Sequence, residues 1–300
     1  MTGDLDVVCL GEVLVDFVPD SAGTHRARPG GAPANVAAGL ASLGHRVGIL
    51  CRTGDDGFGR AIAATLLERG VSDRLVQVDR VAPTSLAVVA VAGEEPPFAL
   101  YRQGTADGSV VFDVEARAAI RDARLLHLGS LLGTSARGRR VIRQAFRVAR
   151  RNSTIVSVDV NLRRSAWSNE GAMIRGARSL IRRADVVKVT VDETRLLGLT
   201  AAEMASGGKL WLITDGERGA TAVRSSTSER ADARATGVVE TTGAGDASFA
   251  AFLDAVLDAG SPAAVDLASA VDHAVHAGAL AVQVPGAMVD ISGIRVPSPN

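Results

Sequence analysis

The residues of this chain whose types and spacing best suit chemistry lie near its far end. There Val238 and Val239 lead into Glu240-Thr241-Thr242-Gly243-Ala244-Gly245-Asp246. Glycines at 243 and 245 let the backbone turn tightly and bring bare N–H groups close to a ligand. An Ala-rich, helix-favouring segment follows, so the turn would open a helix whose positive N-terminal end cradles an anion. Asp246 is the odd member. A carboxylate in that position either caps the helix or serves as a base, taking a proton from a hydroxyl that attacks a bound phosphate. The second use requires further polar groups from elsewhere in the chain.

Such groups exist, and a regular series of elements can bring them together. Asp6–Leu10 and Val47–Cys51 read as buried strands. A helix opening near Pro33 runs to about Leu43, and another follows Gly54–Gly59. Strand and helix then recur: 125–128 with 135–150, 155–159 with 170–183, 186–189 with a short helix from Asp192, then 210–213. This alternation predicts an α/β fold with a mainly parallel central sheet and helices on both faces. Val13–Arg28 and Thr84–Arg102 break the rhythm with strand-like segments and no helix between them. They predict a small β-sheet lid, from about 12–29 and 84–103, on a single domain spanning 1–300. Ligands of an open parallel sheet lie beyond the C-terminal strand ends. The residues expected there include Gly11, Asp16, Gly30, Gly31, Gly129, Asp159, Asn161, Arg163, Thr190, Glu193, Thr214, Gly216 and the Gly243–Asp246 turn. Neutral polar groups for hydroxyls, cations and N–H donors for phosphate, and acids for a base or metal make a phosphotransfer inventory.

Composition narrows the partners. The 33 basic and 33 acidic residues balance, and aromatics are 3% of the chain, so neither a nucleic-acid nor a membrane surface is indicated. Cys9 and Cys51 sit in apolar strand-like runs and read as core residues. His127 reads as a core histidine. His273 and His276, three apart on a late helix, read as helix-face residues rather than metal ligands, with His276 toward the nucleotide edge. The opening residues lack a charged-then-apolar leader and no apolar run reaches ~18 residues, so a soluble cytoplasmic protein is expected.

With these residues assembled, the chain resembles the ribokinase-like (PfkB) carbohydrate kinases over nearly its whole length. Two separated patterns carry the resemblance: Gly30-Gly31-Ala32-Pro33-Ala34-Asn35 with Gly54-Asp55-Asp56-Gly57-Phe58-Gly59, and Thr241-Thr242-Gly243-Ala244-Gly245-Asp246. Within the family it is most similar to fructokinases, through Gly11-Glu12 with Asp16-Phe17-Val18-Pro19, Tyr101-Arg102, and Asp159-Val160-Asn161-Leu162-Arg163 followed by Trp167.

The resemblance implies that Asp246 is the base and that Gly243, Ala244 and Gly245 form the anion hole. Asp16, Gly30, Gly31 and Asn35 would hold sugar hydroxyls, Arg102 would cover the sugar, and Arg163 would reach the phosphates. Thr190, Thr214, Gly216, Gly219 and His276 would hold the nucleotide. Glu193 would arrange Mg²⁺ through water. Glu240 stands where relatives carry Asp beside a monovalent cation, which leaves potassium activation open; Val275 stands where many carry Asn near the nucleotide. The implied reaction is ATP-dependent phosphorylation of a sugar, D-fructose first, with ribose, 2-keto-3-deoxygluconate or aminoimidazole riboside as alternatives. A homodimer through the lid strands is implied as well. Two other readings stand beside it. A catalytically weak sugar or nucleotide sensor would fit altered residues 240 and 275. A dinucleotide oxidoreductase would use Gly243, Gly245 and Ser248, but its fingerprint belongs to an opening βαβ unit rather than to the far end of a chain.

Overall fold

A computed structural model describes residues 5–19, 24–89, 98–234 and 237–294. In chain order the strands are β1 (Val7–Leu10), β2 (Leu14–Pro19), β3 (His25–Gly30), β4 (Val47–Gly54), β5 (Val76–Asp79), β6 (Ser85–Val89), β7 (Phe98–Tyr101), β8 (Leu125–Gly129), β9 (Ile155–Asp159), β10 (Val186–Thr190), β11 (Leu210–Thr214), β12 (Ala220–Arg224) and β13 (Thr227–Ala231). The helices are α1 (Ala32–Ser42), α2 (Gly57–Glu68), α3 (Val114–Asp122), α4 (Ala136–Arg151), α5 (Glu170–Ile181), α6 (Val191–Leu197), α7 (Ala201–Ala205), α8 (Ala244–Ala259) and α9 (Leu267–Ala281).

Nine strands form the central sheet in the order β13-β12-β11-β10-β9-β8-β1-β4-β5. Every pairing from β5 to β11 is parallel, and β12 and β13 add an antiparallel edge. Because strand side chains alternate between faces, β1 sends Val7 and Cys9 into one core and Val8 and Leu10 into the other. The first core lies under α1, α2, α8 and α9, the second under α3, α4 and α5. Both cysteines are buried in the first core, as expected, and burial pushes each thiol well above its ordinary range.

The interruptions in the rhythm form a separate sheet, in the order β3-β2-β6-β7. Its two antiparallel pairs are joined by a parallel pairing of β2 with β6, Leu14 opposite Ser85. Asp56 anchors the lid's second half to the core. It caps α2 through the Gly59 N–H at 2.8 Å and accepts from both the N–H and the hydroxyl of Thr84, each at 2.8 Å.

Candidate active site

A cavity of about 760 Å³ opens where the strand ends, the starts of α1 and α8, and the lid converge. Helices α2 to α7 and α9 begin on a side chain that accepts from the helix's own N–H groups. Helices α1 and α8 do not: their caps are Gly31 and Gly243, without a side-chain hydrogen bond, and both line the cavity. Their φ angles of 114° and 85° favour glycine. A methyl group on Gly31 would meet the Glu12 carbonyl at 2.6 Å, and one on Gly243 would meet Ala287 Cα at 2.7 Å. The positive ends of two helices thus face one space without an internal acceptor.

Asp246 lines this cavity, whose other lining residues divide by element into a lid-side lobe and a lobe from β11 onward. On the lid side lie Glu12, Asp16, Asn35, Ala87, Leu100, Gly129 and Arg163; on the other lie Thr214, Gly216, Gly219, Val238, Val275, Ala279 and Val282. The first lobe is rich in carboxylates and amide, the second largely apolar with backbone turns, as a hydroxyl-rich ligand and a flat base respectively require. Asp246 is 8% exposed, and its Oδ2 accepts from Asn35 Nδ2 at 2.7 Å, while Asn35 Oδ1 is buried without a partner. Burial and the nearby Asp159 push the Asp246 carboxyl up to about 6, against Lys188, the Asn35 bond and Arg163. Asp16 is likewise held up to about 6 by burial, with Arg163 opposing and Asp246 and Glu240 adding to the shift.

Lys188 escaped the sequence reading. It interrupts the apolar strand β10 and is one of only two lysines in an arginine-rich chain, which was the available signal. Its Nζ donates to Asp159 Oδ2 at 2.8 Å, and a methyl group on Gly245 would lie 3.2 Å from that Nζ. Opposing its burial, the charges of Asp159 and Asp246 hold the Lys188 ammonium above its usual range. A buried cation therefore lies beneath the turn that opens α8.

Over residues 4–292 the chain matches the model of the pfkB family carbohydrate kinases. It belongs to that family. This pfkB kinase is 34% identical over 263 residues to a probable fructokinase-5 of Arabidopsis thaliana, covering 82% of this chain and 81% of the relative. Among solved structures it resembles an uncharacterised sugar kinase from Pyrococcus horikoshii in complex with ATP (28% identity, TM-score 0.82, 94% of each chain covered). It also resembles a fructokinase double mutant from Vibrio cholerae in a form with fructose, ADP and potassium bound (28% identity, TM-score 0.81, 96% of each chain). The protein is a sugar kinase, and hence a phosphotransferase, with a ribokinase-like fold.

Of the residues expected at the site, Asp16, Gly31, Asn35, Arg163, Thr190, Thr214, Gly216, Gly219 and Gly243 to Asp246 line the cavity. The Ala244 N–H closes the turn onto the Thr241 carbonyl at 3.3 Å. Five others to which the resemblance gives a role do not line the cavity. Gly30 lies beneath Asp16, where any Cβ would fall 2.2 Å from Asp16 Oδ2, so its lack of a side chain makes room for the carboxylate. Arg102 is bound to Asp107, its Nε 2.6 Å from Oδ2, and Asp107 also accepts from Ser85 and Thr105; this network fixes the lid's base. Glu193 is committed to backbone, its oxygens accepting from Leu162 N–H at 2.6 Å and Thr190 N–H at 2.8 Å. His276 lies off the cavity wall, which its neighbour Val275 lines.

Glu240 also lies off the wall, for a reason no local pattern carries. Arg28 of lid strand β3 donates to its Oε2 at 2.5 Å, the Gly286 N–H donates to the same oxygen at 3.2 Å, and Oε1 is buried without a partner. Among the described residues no cluster of three or more His, Cys, Asp and Glu side chains could hold a metal ion. No described helix is long and apolar enough to cross a membrane.

Proposed function

We propose that this pfkB kinase transfers the γ-phosphoryl group of Mg·ATP to a primary hydroxyl of D-fructose, giving fructose 6-phosphate and ADP. The observation that carries the reading is the position of Asp246, a buried carboxylate in the first turn of an uncapped helix, lining a cavity with both carboxylate-rich and apolar walls. The sugar would occupy the lid-side lobe, held by Asp16 and Asn35 across the Gly31 turn. The nucleotide would lie along Thr190, Thr214, Gly216, Gly219 and the apolar surface around Val275. Asp246 takes the proton of the attacking hydroxyl, that oxygen bonds to the γ-phosphorus, and the bond to the β-phosphate oxygen breaks. N–H groups of the Gly243–Gly245 turn and the α8 dipole, with Lys188 beneath and Arg163 opposite, stabilise the charge on the transferring group.

Mg²⁺ enters as part of the nucleotide substrate, since its usual ligands are phosphates and water with few carboxylates, and both Glu193 oxygens already accept backbone bonds. The carboxylate of Glu240 is matched by Arg28, so a protein cation lies beside the residue that the resemblance sets at a monovalent-cation position. That charge balance supports turnover without potassium. The edge strands β3 and β7 leave the lid able to pair with a second copy, and a monomeric mass by light scattering would reject such a dimer.

The test is coupled ADP release with Mg·ATP against fructose, ribose, 2-keto-3-deoxygluconate and aminoimidazole riboside. Preference for fructose supports the reading, and preference for another acceptor keeps the mechanism and replaces the sugar. Nucleotide binding without turnover of any acceptor would favour a sensor instead.

A further inference from the structure

Glu12 is a buried acid that no step above uses. It follows β1, is 5% exposed, lines the lid-side lobe, and its Oε2 is buried without any hydrogen-bond partner. Its main chain is fixed: a methyl group on Gly11 would meet Pro33 Cγ at 2.5 Å, and the Glu12 carbonyl lies against Gly31. Its side chain reaches across to β8, where a methyl group on Gly129 would stand 3.8 Å from Oε2. Glycine at 129 therefore puts no side chain against that oxygen, and Gly129 lines the cavity beside Glu12. Burial pushes the carboxyl up to about 7, with Arg102 and Arg163 opposing and Asp107 adding to the shift. An orphaned buried carboxyl oxygen costs free energy, and a hydroxyl donor brought into the cavity would relieve that cost.

We propose that Glu12 Oε2 accepts a hydrogen bond from a sugar hydroxyl other than the one phosphorylated, making Glu12 a determinant of acceptor specificity. The assignment rests on the sugar-kinase reading, with the acceptor in the lid-side lobe and Asp16 on the same molecule. It separates two jobs: Asp246 handles the reacting hydroxyl, and Glu12 reads a remote one.

The experiment uses Glu12→Gln and Glu12→Ala with the best acceptor of the sugar panel and its mono-deoxy analogues. The acceptor KM of Glu12→Ala should rise about 10- to 100-fold, the worth of one hydrogen bond to a charged group, with the ATP KM within about twofold of wild type. One deoxy analogue should be handled alike by wild type and variant, because the bond is absent from both. In thermal melting without ligand, Glu12→Gln should be no less stable than wild type, and the shift produced by the acceptor should shrink. Three results would each overturn the assignment: an equal loss for every analogue, a parallel rise in ATP KM, or a destabilised free protein with an undiminished acceptor shift. Wild-type protein that turns over no acceptor at all would refute the sugar-kinase reading itself, a different failure.

Discussion

Replacing Lys188 by methionine is the sharpest probe of the layer beneath the turn. The Lys188 and Asp159 side chains are 6% and 0% exposed, with Nζ and Oδ2 2.8 Å apart. At an effective dielectric of about 20, Coulomb attraction at that distance is about 6 kcal/mol. Desolvating the two ions offsets several kcal/mol each, so the intact pair is worth little against an apolar isostere. Breaking it from one side is another matter. Lys188→Met leaves Asp159 charged, fully buried and already short of a partner at Oδ1, and such a break costs about 3–5 kcal/mol. Removing Asp159 as well, in Lys188→Met with Asp159→Val, should return most of that loss. Urea denaturation followed by fluorescence of Trp167 and Trp211 reads both values. A single variant within 1 kcal/mol of wild type, or a double variant no more stable than the single, would refute the reasoning. Catalysis gives a second reading: losing Lys188 removes a charge that holds Asp246 down, so the acid limb of the pH–rate profile should move upward.

Asp246→Asn should lower kcat by about 10²–10⁴ while acceptor binding by calorimetry stays close to wild type; unchanged turnover would remove Asp246 from the role of base. Folded-state elevation of Asp246 and Asp16 to about 6 and of Glu12 to about 7 favours their protonated forms. Their stabilising contribution is complete at low pH and is lost as pH rises through these values. Between pH 8 and about 5.5 the ligand-free melting temperature should therefore rise as activity falls, a crossing that differential scanning fluorimetry and initial rates would reveal. The opposite trend below about pH 4 comes from Asp6 and Asp79, which hydrogen bonds and arginines hold down to about 2. Potassium should change kcat less than about twofold against tetramethylammonium at equal ionic strength, and Arg28→Gln should lower activity and create a potassium response; strong potassium activation of wild type would contradict the Arg28 account.

Most of the scaffold is legible in the sequence because it is local. Alternating apolar runs and helical segments give the parallel core, and the helix-free stretches around Asp16 and Tyr101 give the lid. The β12–β13 hairpin escapes this reading: four of the five residues of β13 are exposed, so no apolar alternation marks it. At the site, the two glycine turns and Asp246 carry their chemistry in their own neighbourhoods. Arg28 with Glu240 and Lys188 with Asp159 do not, since each pairing joins distant segments and is decided by packing. Asn35 shows the boundary. Its place near a helix start marks it for hydrogen bonding, but only the approach of α8 to α1 makes Asp246 its partner.

The parallel joint between β2 and β6 has a consequence for assembly. Leu14 pairs with Ser85 across β3, α1, β4, α2 and β5, so the lid closes a long loop, exceeded in the amino-terminal half by the pairing of Val7 in β1 with Leu125 in β8. Such non-local pairing is slow to form and entropically costly. The lid's joint is thus costly to re-form once it has opened. Its opening would dismantle the acceptor lobe while the nucleotide lobe, built on β10, β11 and the α8–α9 pair, stays folded.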